Sequence, residues 1–372
     1  MQTIIEQLEA GERLDFAGAW RLYQELDFHL LGHLAHQARL RKSSPHHVTY
    51  VVDRNINYSN ICVCGCQFCA FYRPAGHPEA YLLGWEKIGE KVEETLALGG
   101  TQILMQGGHH PELRLSFYED LLRFIKSRYP IHIHAFSPPE IVHFSELERI
   151  AVAEVIARLK AAGLDSIPGG GAEILVDAVR KRVSPNKCSA EEWLKVMELA
   201  HRQGMRTTAT MMFGHLEDPR DRLEHLFALR DLQDRTGGFT AFIPWPFQPA
   251  NTAIKRSSET AVSYLRLLAT ARLVLDNFAN VQASWVTMGP KVAQLALHFG
   301  ANDFGSTMIE ENVVAAAGVH FRLSIEEIRR LIEDAGFIPV QRTMAYQWVT
   351  AGRPGDGSQP AVEQAAGVFR DC

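Results

Sequence analysis

Four of the chain's six cysteines stand close together in the stretch NYSNICVCGCQFCAFYR, residues 57–73. Three of them follow the spacing C-x3-C-x2-C, namely Cys62, Cys66 and Cys69. A structural zinc site uses four ligands, usually as two paired knuckles, and no second cysteine pair follows this stretch. Three thiolates can instead hold a 4Fe–4S cluster and leave one iron open to a substrate or cofactor. The spacing therefore favours a cluster with an open iron.

The composition excludes several other classes of protein. Hydrophobic residues make up 46% and charged residues 22% of the 372 positions, as in ordinary globular proteins. The formal charge is −5 with scattered basic residues, so no footprint for nucleic acid is expected. The sequence contains no run of 18 apolar residues, so no membrane span is predicted. The N-terminus is acidic and amphipathic and does not resemble a secretory signal. Six cysteines are too few for a disulfide scaffold, so a cytoplasmic protein with reduced thiols is expected.

A repeated alternation of β-branched runs and amphipathic helical patterns begins at residue 47. Such alternation implies parallel strands joined by right-handed crossovers. Because about eight strand–helix units follow, the prediction is an α/β fold, a (β/α)8 TIM-type barrel with an N-terminal helical extension. A doubly wound open sheet is the alternative, since strand order cannot be read from sequence. The predicted segments are a helical extension over 1–46, the barrel over 47–349 and a loose tail over 350–372.

Two local expectations concern how the barrel positions its polar residues. The cysteine stretch directly follows the first strand, HVTYVVD, and so belongs at the carboxyl-terminal face, where barrels of this type place their active sites. Further along the chain, Pro138 and Pro139 are expected to hold the chain away from helix. One continuous helix is then expected over 144–163, ending at Gly163.

With an aromatic residue before its last cysteine, the motif resembles the signature of the radical S-adenosylmethionine superfamily. The resemblance implies a 4Fe–4S cluster on Cys62, Cys66 and Cys69, with S-adenosylmethionine chelating the open iron. One electron from the cluster then cleaves the cofactor to a 5′-deoxyadenosyl radical. Phe68 corresponds to the aromatic residue that lies along the adenine, and Cys64 is expected to be a small buried spectator.

The same resemblance implies a glycine-rich turn after the second strand that receives the methionine amino group. The stretch MQGGHHP supplies Gln106, Gly107 and Gly108 there, although the family usually has glutamate where Gln106 stands. Glycines suit such a turn because a side chain would block a close approach.

Three further pocket residues are expected after the ends of the next two strands. The resemblance suggests that Ser137 and Glu140 line the cofactor or substrate pocket. Glu173, which follows three glycines, is placed to hold ribose hydroxyls. A helix-capping role is the alternative for Glu173.

Five strings together resemble a narrower family, the cyclic dehypoxanthinyl futalosine synthases of the futalosine route to menaquinone. They cover about residue 50 to about residue 320 and are RNINYSNICVCGCQFCAFYR, IHIHAFSPPEI, MRTTATMMFGH, TGGFTAFIPWPFQPANT and GANDFGSTMIEENVV. The implied substrate is dehypoxanthinyl futalosine, a ribose joined by a keto chain to a benzoate. Hydrogen abstraction at the ribose 4′ carbon would be followed by addition to the ring, loss of a proton and return of an electron. An electron donor such as flavodoxin or ferredoxin is implied.

Several side chains are candidates to serve this reaction. His134, the upper of two alternating histidines in the third strand, is expected to touch substrate. Asp303, at the end of the last strand, is expected to be an active-site carboxylate and a candidate general base. Arg73 or Arg206 could pair with the benzoate, with a surface ion pair as the alternative. The aromatic residues expected to wall the pocket are Phe242, Trp245 and Phe247, with ordinary core packing as the alternative for Phe242.

Other activities remain as alternatives at the level of the sequence. Aminofutalosine synthase and deazaflavin synthase share the cysteine loop and much of the GANDFG region. An iron–sulfur protein that only transfers electrons is a different class. Such a protein would need a fourth thiolate near the loop, for which Cys64 is the nearby candidate.

Overall fold

The computed structural model describes residues 1–350 and the backbone of residues 353–357. The helices are α1 (Gln2–Glu9), α2 (Phe16–Glu25), α3 (Phe28–Leu40), α4 (Trp85–Ala97), α5 (Leu115–Arg128), α6 (Pro138–Glu148), α7 (Val152–Ala162), α8 (Asp177–Val183), α9 (Ala190–Arg202), α10 (Pro219–Thr236), α11 (Ala261–Val274), α12 (Trp285–Met288), α13 (Pro290–Leu297), α14 (Val313–Ala316) and α15 (Ile325–Asp334). The strands are β1 (His47–Val51), β2 (Asp53–Ile56), β3 (Gln102–Met105), β4 (His132–Ala135), β5 (Ser166–Ile167), β6 (Arg206–Phe213), β7 (Phe239–Pro246), β8 (Asn280–Val281), β9 (Asp303–Ser306), β10 (Ile338–Gln341), β11 (Trp348–Thr350) and β12 (Arg353–Gly357).

The strands form a closed parallel barrel. Seven of them pair in the order β2-β3-β4-β5-β6-β7-β8. The ring closes through β9, which pairs in parallel with β1 and is bridged to the end of β8 at Gln282 and Asp303. Since β1 and β2 are separated by Val52 alone, residues 47–56 act as one strand of the ring. Eight parallel strands therefore surround the interior, and the predicted (β/α)8 barrel is confirmed.

A further strand lies beside the barrel. β10 pairs with β1, so that His47 faces Ile338 and Tyr50 faces Gln341. β11 then pairs antiparallel with β12, in the first part of the stretch that was expected to be a loose tail. The remainder of that stretch lies outside the described residues.

Two helix expectations are wrong, for identifiable reasons. α6 begins at Pro138, because a proline in the first helical turn loses only an N–H that would be unpaired there. The helix expected over 144–163 is divided into α6 and α7, since Arg149 adopts a left-handed φ of 57° and ends α6. A left-handed non-glycine residue carries no clear signal in the sequence.

The N-terminal helices pack on the outside of the barrel. α3 contacts α11, and α2 contacts both α10 and α11. The interface is apolar and includes Leu22, Leu31 and Leu34. At the amino-terminal ends of the strands, Arg39 donates hydrogen bonds to the carbonyls of Ala301 (3.1 Å) and His47 (3.0 Å). Across the described residues, no helix combines the length and apolar character needed to cross a bilayer.

Candidate active site

The cysteine loop follows β2 at the carboxyl-terminal face of the barrel. The Cys62 sulfur accepts hydrogen bonds from the backbone N–H groups of Cys64 (3.4 Å) and His109 (3.3 Å). A hydrogen bond from the Cys64 thiol, together with these two N–H groups, outweighs burial and lowers the pKa of Cys62 to about 6. Cys64 is almost fully buried, and its hydrogen bonds to Cys62 and Cys66 raise its pKa, so it is a neutral thiol. Cys62 is thus disposed to form a thiolate beside a protonated Cys64.

The donor set consists of three cysteine thiols on one loop. In the described part of the chain, no three His, Cys, Asp or Glu side chains are placed to bind one metal ion together. A cubane cluster presents a different iron to each thiolate, so three cysteines suit it. Cys62, Cys66 and Cys69 are the residues that would hold the cluster, and their assignment stays a prediction.

The glycine turn after β3 packs directly against the cysteine loop. A Cβ atom at Gly108 would lie 2.2 Å from the Ile61 carbonyl oxygen and 2.6 Å from Cys62 Cβ. A Cβ atom at Gly107 would lie 2.2 Å from the Tyr58 ring. Both glycines are therefore required by the close approach of two loops, whatever they contact in a cofactor. The Gln106 side chain lines the central cavity of the barrel.

Glu140 connects this turn to α6. Its carboxylate accepts hydrogen bonds from the Gly107 N–H (3.1 Å) and the Tyr58 hydroxyl (2.8 Å). The other carboxylate oxygen accepts from the Ser137 N–H (2.8 Å) and hydroxyl (2.7 Å), which forms the N-terminal capping box of α6. Neither Ser137 nor Glu140 is on the lining of the central cavity, so a cofactor contact of Ser137 stays a prediction.

Glu173 is a buried carboxylate that lies between two cations. It has a left-handed φ of 40° and stands four positions before the first residue of α8, whose N-cap is Val176, so it does not cap that helix. Its Oε1 lies 3.0 Å from Lys187 Nζ and its Oε2 lies 3.6 Å from Arg180 Nη1, a distance too long for a hydrogen bond, so Oε2 has no hydrogen-bond partner within the described residues. An unsatisfied buried acceptor is costly, which makes Oε2 a suitable partner for a hydroxyl donor of a ligand. Ribose binding by Glu173 remains a prediction that this geometry suits.

Lys187 is a site residue that the sequence did not indicate. Its Nζ lies 5.1 Å from the centroid of the Phe68 ring, and its side chain is 15% exposed. Burial lowers the pKa of Lys187, but the nearby Cys66 and Glu173 charges outweigh burial and raise it overall. Lys187 lies beside Phe68 because the segment after α8 packs on the cysteine loop, where the Asn186 side chain donates a hydrogen bond to the Cys64 carbonyl (3.1 Å). This contact is tertiary and leaves no local pattern.

The central cavity of the barrel is lined by two unlike groups of residues. One wall carries Asp53, Asn55 and Gln102, and we call these three residues the polar wall. A second group on the lining consists of Ile243, Trp245 and Val286, and we call it the apolar wall. Phe242 and Phe247, the other two predicted pocket aromatics, lie in the hydrophobic core and are not part of the lining.

Of the two predicted catalytic residues, His134 lines the cavity. Its Nδ1 lies 2.7 Å from the Ser166 hydroxyl, and its Nε2 lies 3.4 Å from the Thr208 hydroxyl. Burial lowers the pKa of His134, so the imidazole is neutral. The burial that keeps the imidazole neutral also makes it a weaker base, so a proton-accepting role of His134 stays a prediction.

Asp303 lies behind the cavity surface, where its carboxylate is fully engaged. Arg342 binds both of its oxygens, with one contact of 3.0 Å. Thr49 Oγ1 donates to the same carboxylate (2.5 Å), as does the Gly305 N–H (2.9 Å). These bonds account for Asp303 as part of a buried ion pair, and its catalytic role stays a prediction.

Arg73 and Arg206, the two candidates to pair with the benzoate, are not on the lining of the central cavity. Arg206 is exposed at the amino-terminal end of β6 and donates to the Gly237 carbonyl (2.5 Å). Arg73 pairs with Glu79 (2.7 Å) and donates to carbonyls of the cysteine loop. The ion-pair alternative thus describes Arg73. Among the described residues that line the cavity, Arg342 is the one Lys or Arg, a position that depends on β10 and could not be read locally.

Two family models match the chain. Residues 56–229 match the radical SAM superfamily, and residues 236–354 match the CofH/MqnC C-terminal region. Among solved structures, the FeFe-hydrogenase maturase HydG from Carboxydothermus hydrogenoformans has a TM-score of 0.75 at 20% identity, covering 93% of this chain and 80% of that chain. At this identity the likeness shows the fold alone.

Curated relatives match over nearly their whole length. Cyclic dehypoxanthine futalosine synthase of Halalkalibacterium halodurans is 48% identical over 92% of this chain and 94% of its own. The protein of that name from Streptomyces coelicolor is 44% identical over 93% of this chain and 88% of its own. The 5-amino-6-(D-ribitylamino)uracil–L-tyrosine 4-hydroxyphenyl transferase of Methanopyrus kandleri is 43% identical over 91% of this chain and 93% of its own. The chain therefore belongs to the radical SAM superfamily, in the group that carries the CofH/MqnC C-terminal region.

Proposed function

We propose that the chain converts dehypoxanthinyl futalosine to its cyclic form, a step of the futalosine route to menaquinone. The observation that carries the proposal is the 48% identity, across nearly the whole of both chains, with a cyclic dehypoxanthine futalosine synthase. The barrel and the cysteine loop do not single out this reaction, because a relative named as a 4-hydroxyphenyl transferase is 43% identical.

As a radical SAM protein, the chain uses a 4Fe–4S cluster and S-adenosylmethionine. Cys62, Cys66 and Cys69 would hold the cluster. Glu173 Oε2, which lies 3.6 Å from Arg180 and has no hydrogen-bond partner among the described residues, would accept a hydrogen bond from a hydroxyl of the cofactor. When bound, these groups supply the 5′-deoxyadenosyl radical that removes hydrogen from the ribose 4′ carbon. Lys187 fixes the other oxygen of Glu173 and places a positive charge beside the cysteine loop.

The main contribution of the protein is to hold two reacting carbons of one substrate together. The substrate must fold so that its ribose meets its aromatic ring, and a bound near-attack geometry lowers the barrier by removing this conformational freedom. The apolar wall suits the ring and excludes water and stray hydrogen donors from the radical.

After ring closure, a proton must leave the aromatic carbon. Between the two predicted catalytic residues, His134 is the one on the cavity lining and has a neutral imidazole. His134 is therefore our candidate to accept this proton. Asp303 is the second candidate, and its use would require the bidentate pair with Arg342 to open.

The cluster would need one-electron reduction before the first turnover, so the proposal includes an electron donor such as flavodoxin or ferredoxin. The electron released when the cyclised radical loses its ring proton would return to the cluster. A cytoplasmic location belongs to the same proposal, because the thiols of the cysteine loop must remain reduced to bind iron.

The test is an anaerobic assay on protein reconstituted with iron and sulfide. S-adenosylmethionine, a one-electron reductant and dehypoxanthinyl futalosine are added, and product masses are followed by chromatography. Formation of 5′-deoxyadenosine together with a product two hydrogens lighter than the substrate is the expected result. If 5′-deoxyadenosine forms while the substrate is unchanged, the proposed substrate is wrong. The substrates of aminofutalosine synthase are then the next to try.

A further inference from the structure

Two of the three residues of the polar wall carry a buried acceptor oxygen without a hydrogen-bond donor among the described residues. Asp53, Asn55 and Gln102 are 3%, 4% and 4% exposed, although all three line the cavity. Within the described residues, Asn55 Oδ1 and Gln102 Oε1 have no hydrogen-bond partner. Buried acceptors are paired in nearly all native proteins, so two orphans on one cavity surface point to a bound molecule that supplies the donors.

Asp53 adds a carboxylate between these two amides. Its Oδ2 accepts from Gln102 Nε2 (2.8 Å), and its Oδ1 accepts from the Ser306 hydroxyl. Each carboxylate oxygen can accept a further bond, so Asp53 has spare capacity toward the cavity. Arg342, the cation on the cavity lining, is bonded to Asp303 and does not neutralise Asp53 by a direct contact.

The chemistry of the ligand decides which part of it belongs here. In the proposed substrate, the keto group and the ionised benzoate are acceptors only, and the hydroxyls of the sugar are the donors. The aromatic ring gains most from the apolar wall, where Ile243 and Trp245 offer a desolvated surface.

We propose that the polar wall binds the sugar hydroxyls of the substrate, so that the aromatic ring lies against the apolar wall. The assignment rests on the proposed function. It deepens that function, because the two walls of one cavity would hold the substrate folded with its sugar facing its ring. Asp53, Asn55 and Gln102 are then substrate-binding residues that set specificity for a hydroxylated sugar.

The test measures binding without turnover. Isothermal titration follows dehypoxanthinyl futalosine binding to the cluster-loaded chain with S-adenosylmethionine and no reductant. We expect Asp53→Asn and Asn55→Ala each to weaken binding, the former about 10- to 100-fold because a charge-assisted hydrogen bond is lost. Asp120→Asn is the matched control, since this exposed carboxylate pairs with Arg123 on the surface and should leave the affinity unchanged.

Substrate analogues lacking single sugar hydroxyls make the test independent of how well a variant folds. The wild-type chain should bind at least one deoxy analogue about tenfold or more weakly than the full substrate, and Asp53→Asn should lose that preference. Equal affinity of the wild type for all analogues would overturn the assignment. The assignment would also be overturned by variants that weaken the binding of S-adenosylmethionine but not of the substrate, because the polar wall would then bind the hydroxyls of the cofactor.

The two proposals can fail separately. If the wild-type chain does not convert dehypoxanthinyl futalosine, the proposed function is wrong. The assignment of the polar wall, which rests on that function, is then wrong as well. If the wild-type chain converts the compound while Asp53→Asn and Asn55→Ala bind it as tightly as wild type does, only the polar wall is wrongly assigned.

Discussion

Replacing Gly108 with alanine tests how closely the glycine turn must approach the cysteine loop. The added Cβ atom would lie 2.2 Å from the Ile61 carbonyl oxygen and 2.6 Å from Cys62 Cβ. Ordinary contact begins near 3.4 Å, so one of the two loops must move by more than 1 Å. Both atoms belong to rigid parts of the chain, and a rotation of a flexible side chain cannot relieve the overlap.

The magnitude follows from that displacement. Forcing an extra methyl group into a packed site costs about 1–3 kcal/mol. A displacement of about 1 Å in a catalytic arrangement lowers the rate about 100-fold. We therefore expect Gly108→Ala to fold with reduced stability, to bind less iron and to form 5′-deoxyadenosine about 100-fold more slowly.

The assay compares three proteins after anaerobic reconstitution. Iron and sulfide per chain, the unfolding midpoint in urea and the rate of 5′-deoxyadenosine formation are measured for wild type, Gly108→Ala and Gly84→Ala. Gly84 is the matched control because a Cβ atom there meets only Glu86 Oε2 at 3.6 Å. If Gly108→Ala keeps the iron content and rate of Gly84→Ala, the close packing of turn and loop does not position the site.

Three further predictions use other residues. Alanine at Cys62, Cys66 or Cys69 should abolish bound iron, whereas Cys64→Ala should keep it, as measured by iron analysis and electron paramagnetic resonance; loss of iron in Cys64→Ala would favour a fourth thiolate ligand. Asp303→Asn should destabilise the fold by about 3–5 kcal/mol in urea unfolding, because it leaves the buried Arg342 without its partner; wild-type stability with abolished product would instead support a catalytic Asp303. Burial raises the pKa of Glu140 above its unfolded value, so its contribution to stability is fully present below the unfolded pKa and is lost as pH rises through the folded pKa. Glu140→Gln should therefore gain stability relative to wild type as the pH is raised over that window, and a difference that does not vary with pH would contradict the argument.

Local patterns were sufficient to predict the barrel and the position of its cysteine loop. β-branched runs such as HVTYVVD and IHIHAF correspond to β1 and β4, and the intervening helical patterns correspond to helices of the outer ring. The parallel order follows from this alternation, and the loop's position at the carboxyl-terminal face follows from the order. The break between α6 and α7 could not be predicted, since Arg149 takes a left-handed conformation that usually requires glycine.

The site was only partly predictable because several of its residues meet through tertiary contacts. Gln106 and His134 stand at strand positions whose alternation places them inside a barrel. Lys187 reaches the cysteine loop through an irregular segment after α8, and Arg342 reaches Asp303 from a strand outside the ring. The strand alternation that runs through Asp53 and Asn55 places both side chains inside the barrel, although neither was predicted as a site residue. The strand period thus held a signal for Asp53 but none for Lys187 or Arg342.

The strand at residues 47–56 joins two parts of the chain that could otherwise be taken for separable modules. Its first half pairs with β9 and β10, both from the CofH/MqnC C-terminal region, and its second half pairs with β3. The same C-terminal region contributes Arg342, Met344 and Tyr346 to the cavity. A chimaera that exchanges residues 236–354 between relatives would therefore pair β9 and β10 of one parent with β1 of the other. Such an exchange should yield a folded enzyme when residues 47–51 are taken from the same parent as the transplanted region.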